Sequence, residues 1–302
     1  MEVGWEHIRR LLDENHKNFG YQLKIWTGSG LPCFKKIYSK LKTSTVSDCK
    51  KYLTSLEEYI SSKADDNDLR FLFYLGIVNQ MFITKTIHSN LHGCDALLSN
   101  KVKSFFSEYK ESEFPPLNKD SGVIPALIFS GKFIPLKTYH ANISGMPRSI
   151  FFDLKGLDKI SAFKYILFRV KGFSPLLELH LPKLENARFS ADLYYNDCLL
   201  TSYVLHRNEH IKGAMQMGWY IDPVLKEISP HLGEVGMLAS KFGSLVLCVG
   251  SDDAAVSDAT MKSTKRRKLY EEGLYQPKRF LRLWSRKDVF KHFPEDDLKH
   301  VI

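Results

Sequence analysis

The chain has 302 residues, 44% hydrophobic and 13% aromatic, which is enough apolar material for one large or two ordinary domains and excludes extended disorder. Its net charge of +9 is concentrated: Lys262 to His292 holds eleven Lys or Arg against three acids (Glu271, Glu272 and Asp288), leaving about +1 for everything else. One basic segment on a nearly neutral protein attracts phosphate, whether on nucleic acid, a cofactor or lipid. The five cysteines (Cys33, Cys49, Cys94, Cys198 and Cys248) are scattered and never spaced C-x-x-C. This argues against a disulfide framework and a thiolate zinc site, and fits a cytoplasmic location, or a nuclear one in a eukaryote. The first ten residues lack the apolar core of a signal peptide, and the longest apolar run, Phe71 to Ile83, is too short to span a bilayer.

In chain order, Trp5, Ile8, Leu11 and Leu12 mark a first helix. Cys49, Tyr52, Leu53, Leu56, Tyr59 and Ile60 form one face of a second, with Ser47 placed to cap it. The run Asp65 to Asp68 breaks the pattern, an apolar stretch follows to about His88, and Leu97, Leu98, Val102, Phe105, Phe106 and Tyr109 mark a last helix. An α-helical domain over residues 1–112 accounts for all of this. The Pro-, Gly- and polar-rich residues 113–122 are the linker candidate. Residues 123–302 have a mixed texture, so the expected class is α+β: a helical domain followed by a mixed α/β domain.

That second domain is expected to open with a strand over Val123 to Phe129, Pro125 at its edge, and a further apolar run at Ser149 to Leu154. Asp158 caps a helix with Ile160, Phe163, Ile166, Leu167 and Val170 on one face, ended by Gly172 and Pro175. Phe189, Ala191, Leu193 and Tyr195 alternate with Arg188, Ser190, Asp192 and Tyr194, and an Asn196-Asp197 turn leads into Leu199 to His206: a β-hairpin. A strand at Met215 to Ile221 follows. Helical spacing then runs from Leu225 to Phe242, with Ser229-Pro230 resetting the cap. Leu245 to Val249 is a strand and Gly250 to Asp258 a loop. The basic segment supplies a helix stopped at Gly273 and a strand from Phe280 to Trp284, with Phe280, Arg282 and Trp284 on one face and Leu281 and Leu283 on the other.

The order hairpin, strand, helix, strand, short helix, strand over residues 188–284 resembles the GNAT acyltransferase superfamily. In that fold the fourth strand feeds a helix whose N-terminus binds the pyrophosphate of acyl-CoA, a task suited to unpaired amides and the helix dipole. The resemblance places that loop at Pro230 to Gly236, with Gly233 and Gly236 three apart and Glu234 between them, and it makes Lys265 and Arg266 the cations facing the donor. The segment Leu269-Tyr270-Glu271-Glu272-Gly273 is similar to the family's L-Y-E-x-x-G-F, one residue shorter. This implies Tyr270 as the proton donor to a departing CoA thiolate; an amphipathic residue packing on the sheet is the plainer reading.

An acyl acceptor needs a base. Glu178 and His180 stand two apart in an apolar run, so a strand there points both to one face; a solvent-facing edge strand would do the same. His206 and His210 are further candidates. His88 and His92 have helical ligand spacing beside Cys94 but lack the glutamate of a zincin, and no metal is expected. The basic segment has three readings: a nucleic-acid surface using Lys268, Lys278, Arg279 and Arg282 with Tyr275, Phe280 and Trp284 to stack on bases, a nuclear localisation signal, or the rim of a folded site. Its apolar interleaving places it inside the domain. The leading expectation is an enzyme moving an acyl group from acyl-CoA or another thioester to an amine or hydroxyl of an anionic or macromolecular acceptor. The alternative is a non-enzymatic nucleic-acid-binding or host-interaction protein using the 262–292 surface.

Overall fold

The computed structural model describes residues 24–63, 66–84, 92–109, 113–181 and 190–300. They form two compact units, one reaching to Pro135 and the other running from Leu136 onward. The helix expected around Trp5 lies outside the described residues.

The first unit is helical: α1 (Phe34–Thr43), α2 (Val46–Ser61), α3 (Asp66–Ile83), α4 (Asp95–Glu108) and α5 (Asp120–Phe129). The cap of α2 is Thr45, whose side chain accepts from Asp48 N at 3.1 Å, two residues before the expected Ser47. Helix α3 is buried along most of its length, as an apolar helix with little amphipathic pattern must be. Gly76 lets Phe34 lie against its backbone, since a Cβ there would meet the ring at 2.4 Å. The expected strand at Val123 to Phe129 is instead α5, with Pro125 inside it. Almost every residue of α5 is buried, so its sequence carries no period to tell helix from strand.

The second unit holds a sheet in which the strands lie in the order β2–β3–β4–β6–β5. Strand β1 (Ile134–Pro135) ends the first unit; those of the second are β2 (His140–Ser144), β3 (Leu176–His180), β4 (Gly213–Gly218), β5 (Leu245–Gly250) and β6 (Arg279–Ser285). Strands β3 and β4 run parallel, while β2–β3, β4–β6 and β5–β6 are antiparallel. On one face, Leu176, Met215, Leu247, Leu281 and Leu283 pack with α6 (Ile150–Asp153), α7 (Gly156–Tyr165) and the π-helical turn Ile166–Val170 that continues it. Elements carried against the other face include α8 (Ala191–Arg207) and α10 (Pro230–Lys241), preceded by the short α9 (Leu225–Ile228). Helices α11 (Asp253–Thr260) and α12 (Thr264–Glu271) connect β5 to β6, and α13 (Arg286–His292) follows.

Helix α8 replaces the expected hairpin. Ser190 caps it by accepting from Leu193 N at 3.2 Å, and the expected turn residue Asp197 is buried mid-helix, accepting from the amides of Thr138 and Tyr139. Residues 188 and 189 lie outside the described residues, and from 190 on the alternation falls on the cap and first turn of the helix. The expected loop at 250–258 is largely α11, capped by Asp252 through Ala255 N at 2.8 Å. Ser229 and Pro230 do start α10 as read, and β6 has Leu281 and Leu283 on the apolar face opposite Arg282.

Candidate functional site

The parallel pair is where a ligand crevice is expected, because parallel strands joined by a helix place their C-terminal ends and that helix's N-terminus together. The β3–β4 ladder joins Leu177, Glu178 and Leu179 to Ala214, Met215 and Gln216 and stops there, while β4 stays paired to β6 through Gly218. Both strands therefore continue past their last shared pair. Helix α8 begins at this end of β3.

Glu178 and His180 stand on β3 at that point, on the same face as Leu176 and Met215. β3 lies between β2 and β4, so it is an interior strand and not the edge strand that a solvent-facing reading required. His180 Nε2 is 3.8 Å from Glu178 Oε2 and hydrogen-bonds to Asn142 Oδ1 on β2, whose register places Asn142 beside Glu178 and His140 beside His180. The two imidazoles stack with centroids 5.4 Å apart. Facing an amide oxygen, Nε2 is the donor of this bond. Each of the two strand residues is about one-third exposed, so solvent and ligands reach them.

The opposite face of the same strands carries a buried polar cluster that sequence reasoning did not assemble. Arg282 on β6, 2% exposed, donates from Nη1 to Tyr194 OH on α8 and to Gln216 Oε1 on β4, the latter at 2.8 Å. Its guanidinium also lies over the Tyr194 ring. Nε and Nη2 of Arg282 have no protein partner, and among the described residues no carboxylate forms an ion pair with it. Tyr139, Tyr194 and Tyr220 have hydroxyls held well above the ordinary tyrosine pKa by burial, opposed by the Arg282 charge. Burial likewise pushes Asp197 up to about 6 and the Cys198 thiol up to about 12. The available signal was a polar residue between two apolar neighbours, Gln216 between methionines and Arg282 between leucines.

The other residues singled out from the sequence lie on several elements. Gly233 and Gly236 serve close packing: a Cβ on Gly233 would come within 2.4 Å of Lys226 Cα, and one on Gly236 within 3.4 Å of Ile221 O. The amides of Leu232 and Gly233 already donate to Ser229 O. Arg266 is buried, donates to Ala259 O at 2.6 Å and Ser229 Oγ at 3.0 Å, and lies over the Trp219 ring at 4.8 Å. Burial lowers its pKa, countered by Tyr275. The two bonds moor α12 to α11 and to the start of α10, and the ring contact joins it to the turn that follows β4. Tyr270, 37% exposed, lies one helical turn after Arg266 on the same side of α12. Lys265, Lys268 and Lys278 are exposed, Lys268 lying 3.7 Å from Glu272, and Arg279 pairs with Asp252 at 2.5 Å. His206 stacks on Phe290, and burial lowers its pKa. His88 lies outside the described residues, among which no group of three or more His, Cys, Asp or Glu could hold a metal ion.

No protein-family model matches the chain, and no curated protein matches it. Among solved structures it is similar to an acyltransferase in complex with decanoyl-CoA, at 16% identity and TM-score 0.41, over 74% of this chain and 68% of that one. It is also similar to an acyltransferase in complex with CoA and 10C-teicoplanin, at 12% identity and TM-score 0.40 over the same shares. At this level of likeness nothing about the chain's own activity follows. Among the described residues no helix is long and apolar enough to cross a membrane.

Proposed function

We propose that the chain is a GNAT-like acyltransferase that moves an acyl group from a thioester donor such as acyl-CoA to an amine or hydroxyl acceptor. The observation that carries this reading is the unpaired end of the parallel β3–β4 pair with Glu178 and His180 on one face of it. The donor's phosphates are assigned to the start of α8, the helix that joins the parallel strands β3 and β4.

In the reaction, the acceptor's lone pair attacks the thioester carbonyl carbon while the His180–Glu178 pair takes its proton. The tetrahedral intermediate collapses with cleavage of the C–S bond, and the electron pair leaves on sulfur. Tyr270 protonates the departing thiolate. Holding donor and acceptor in one crevice supplies the orientation term.

The test is release of free thiol from a panel of acyl-CoAs with candidate acceptors, alongside thermal melts with CoA. A donor site raises the melting temperature of the wild type. Glu178→Gln and His180→Gln are expected to lower the rate by about 10²–10⁴-fold while keeping the CoA-induced shift. Tyr270→Phe is expected to lower kcat with KM for the donor unchanged. No thermal shift with any acyl-CoA and no thiol release would sink the reading.

A further inference from the structure

Helix α7 and its π-helical continuation turn an apolar face to solvent. Phe152 is 84% exposed, Leu157 80% and Phe168 74%; Ile160, Phe163 and Leu167 are exposed beside them. At about 100° per residue, the five from Leu157 to Phe168 fall within one arc about 140° wide. Scattered surface leucines need no explanation, but five large apolar side chains on one short helix and its continuation do, with Phe152 on the neighbouring α6 beside them.

The back of this helix is fastened to the sheet. Ala162, Ile166 and Val170 are in the core. Tyr165 OH donates to Asp288 Oδ2 at 2.9 Å and accepts from Ser285 N, and Arg169 bonds Asp288 Oδ1 at 2.6 Å. The apolar arc is therefore presented on a fixed support, and turning it inward would break these contacts.

Charge identifies what the arc meets. Arg148, Lys155, Lys159, Lys164 and Lys171 are all exposed around it, against two acids, Asp153 and Asp158. Lys164 falls inside the arc and Lys159 at its border, whereas Asp158 falls on the far side of the helix. A second copy of this chain docked face to face would bring these lysines together, which like charges oppose. Aromatic and aliphatic residues rimmed by lysines, on a helix lying flat on its own domain, have the composition of an interfacial membrane-binding element.

We propose that this face docks the protein on an anionic lipid surface, with Phe152, Leu157 and Phe168 entering the headgroup–acyl boundary and Lys155, Lys159, Lys164 and Lys171 meeting lipid phosphates. The assignment is independent of the acyl-transfer reading.

The full chain is co-sedimented with vesicles of phosphatidylcholine alone and of phosphatidylcholine mixed with phosphatidylserine, across a salt series. The expected result is binding to the mixed vesicles that weakens as salt rises. Phe152→Ser with Phe168→Ser should reduce partitioning about tenfold or more, as should Leu157→Ser on its own background. Lys159→Glu with Lys164→Glu should remove the preference for anionic lipid. All four side chains changed in the pairs are exposed, and matching far-UV melts verify that each variant is folded. No binding to either vesicle overturns the proposal, as does equal binding to both. So does binding lost in Lys265→Glu with Lys268→Glu but kept in the phenylalanine pair, or a dimer in size-exclusion chromatography that Phe168→Ser dissolves.

Discussion

Both units bury arginine, and Arg70 and Arg282 are treated in opposite ways. In the helical unit, Arg70 on α3 donates from Nε and Nη2 to Glu57 Oε1 on α2, at 3.0 and 2.7 Å, and also meets Asp66. The second carboxylate oxygen of Glu57 accepts from Leu117 N at 2.7 Å. In the α/β unit, Arg282 has a tyrosine and an amide for partners, and two of its nitrogens meet no protein acceptor. A matched buried charge fixes how helices sit, whereas an unmatched one stores unfavourable energy next to a site.

Breaking the matched pair should do the most damage. Glu57→Ala leaves Arg70 with only the partly exposed Asp66 and Ser61 and orphans the Leu117 amide, and urea melts should show a loss of about 3 kcal/mol. Next comes Asp197, whose pKa burial raises to about 6. Between the ordinary carboxylate range and pH 6 the folded state holds more protons than the unfolded one, so this group's contribution falls as pH rises through that window. The stability of the wild type relative to Asp197→Asn should drop on going from pH 4 to pH 7, by on the order of 2–3 kcal/mol. An opposite slope would mean that the Thr138 and Tyr139 amides outweigh burial.

The unmatched arginine gives a smaller effect of the other sign. Arg282→Met should leave stability unchanged or raise it by up to about 2 kcal/mol. A large loss in the same melts would erase the contrast between the two units. Smallest is the partly exposed Lys50–Asp120 pair at 3.2 Å, where Lys50→Ala should cost less than about 0.5 kcal/mol.

What could be read in the sequence followed the local signals. The face from Cys49 to Ile60, the Ser229-Pro230 start and the alternation in β6 each carry a period or a cap, and each has its element. Where no face is exposed the period vanishes, so the sequence of α5 reads as a strand. Alternation across the start of α8 imitated a strand, although Ser190 and the acid at Asp192 were the better guides. For the candidate site, Glu178 and His180 were legible as neighbours on one strand face. Asn142 and His140 were not, because only the β2–β3 register brings them alongside. The Arg282 cluster unites Tyr139 just before β2, Gln216 on β4, Tyr194 on α8 and Arg282 on β6, and no short-range pattern encodes such a meeting.

The position of β6 between β4 and β5 has a consequence for how the chain is made. As synthesis proceeds, the helical unit emerges first, then β2, β3, α8 and β4, and then β5, which has no neighbour to pair with. β5 must wait, its ladder groups open, while α11 and α12 are produced, and it is sheltered only when residues 279–285 slide in beside it. Arg286 then ties down the departing end of α8 through the carbonyls of Leu205, Asn208 and Ile211. The growing α/β unit is thus exposed to mispairing until late in translation, which puts its aggregation hazard in nascent chains more than in the finished fold.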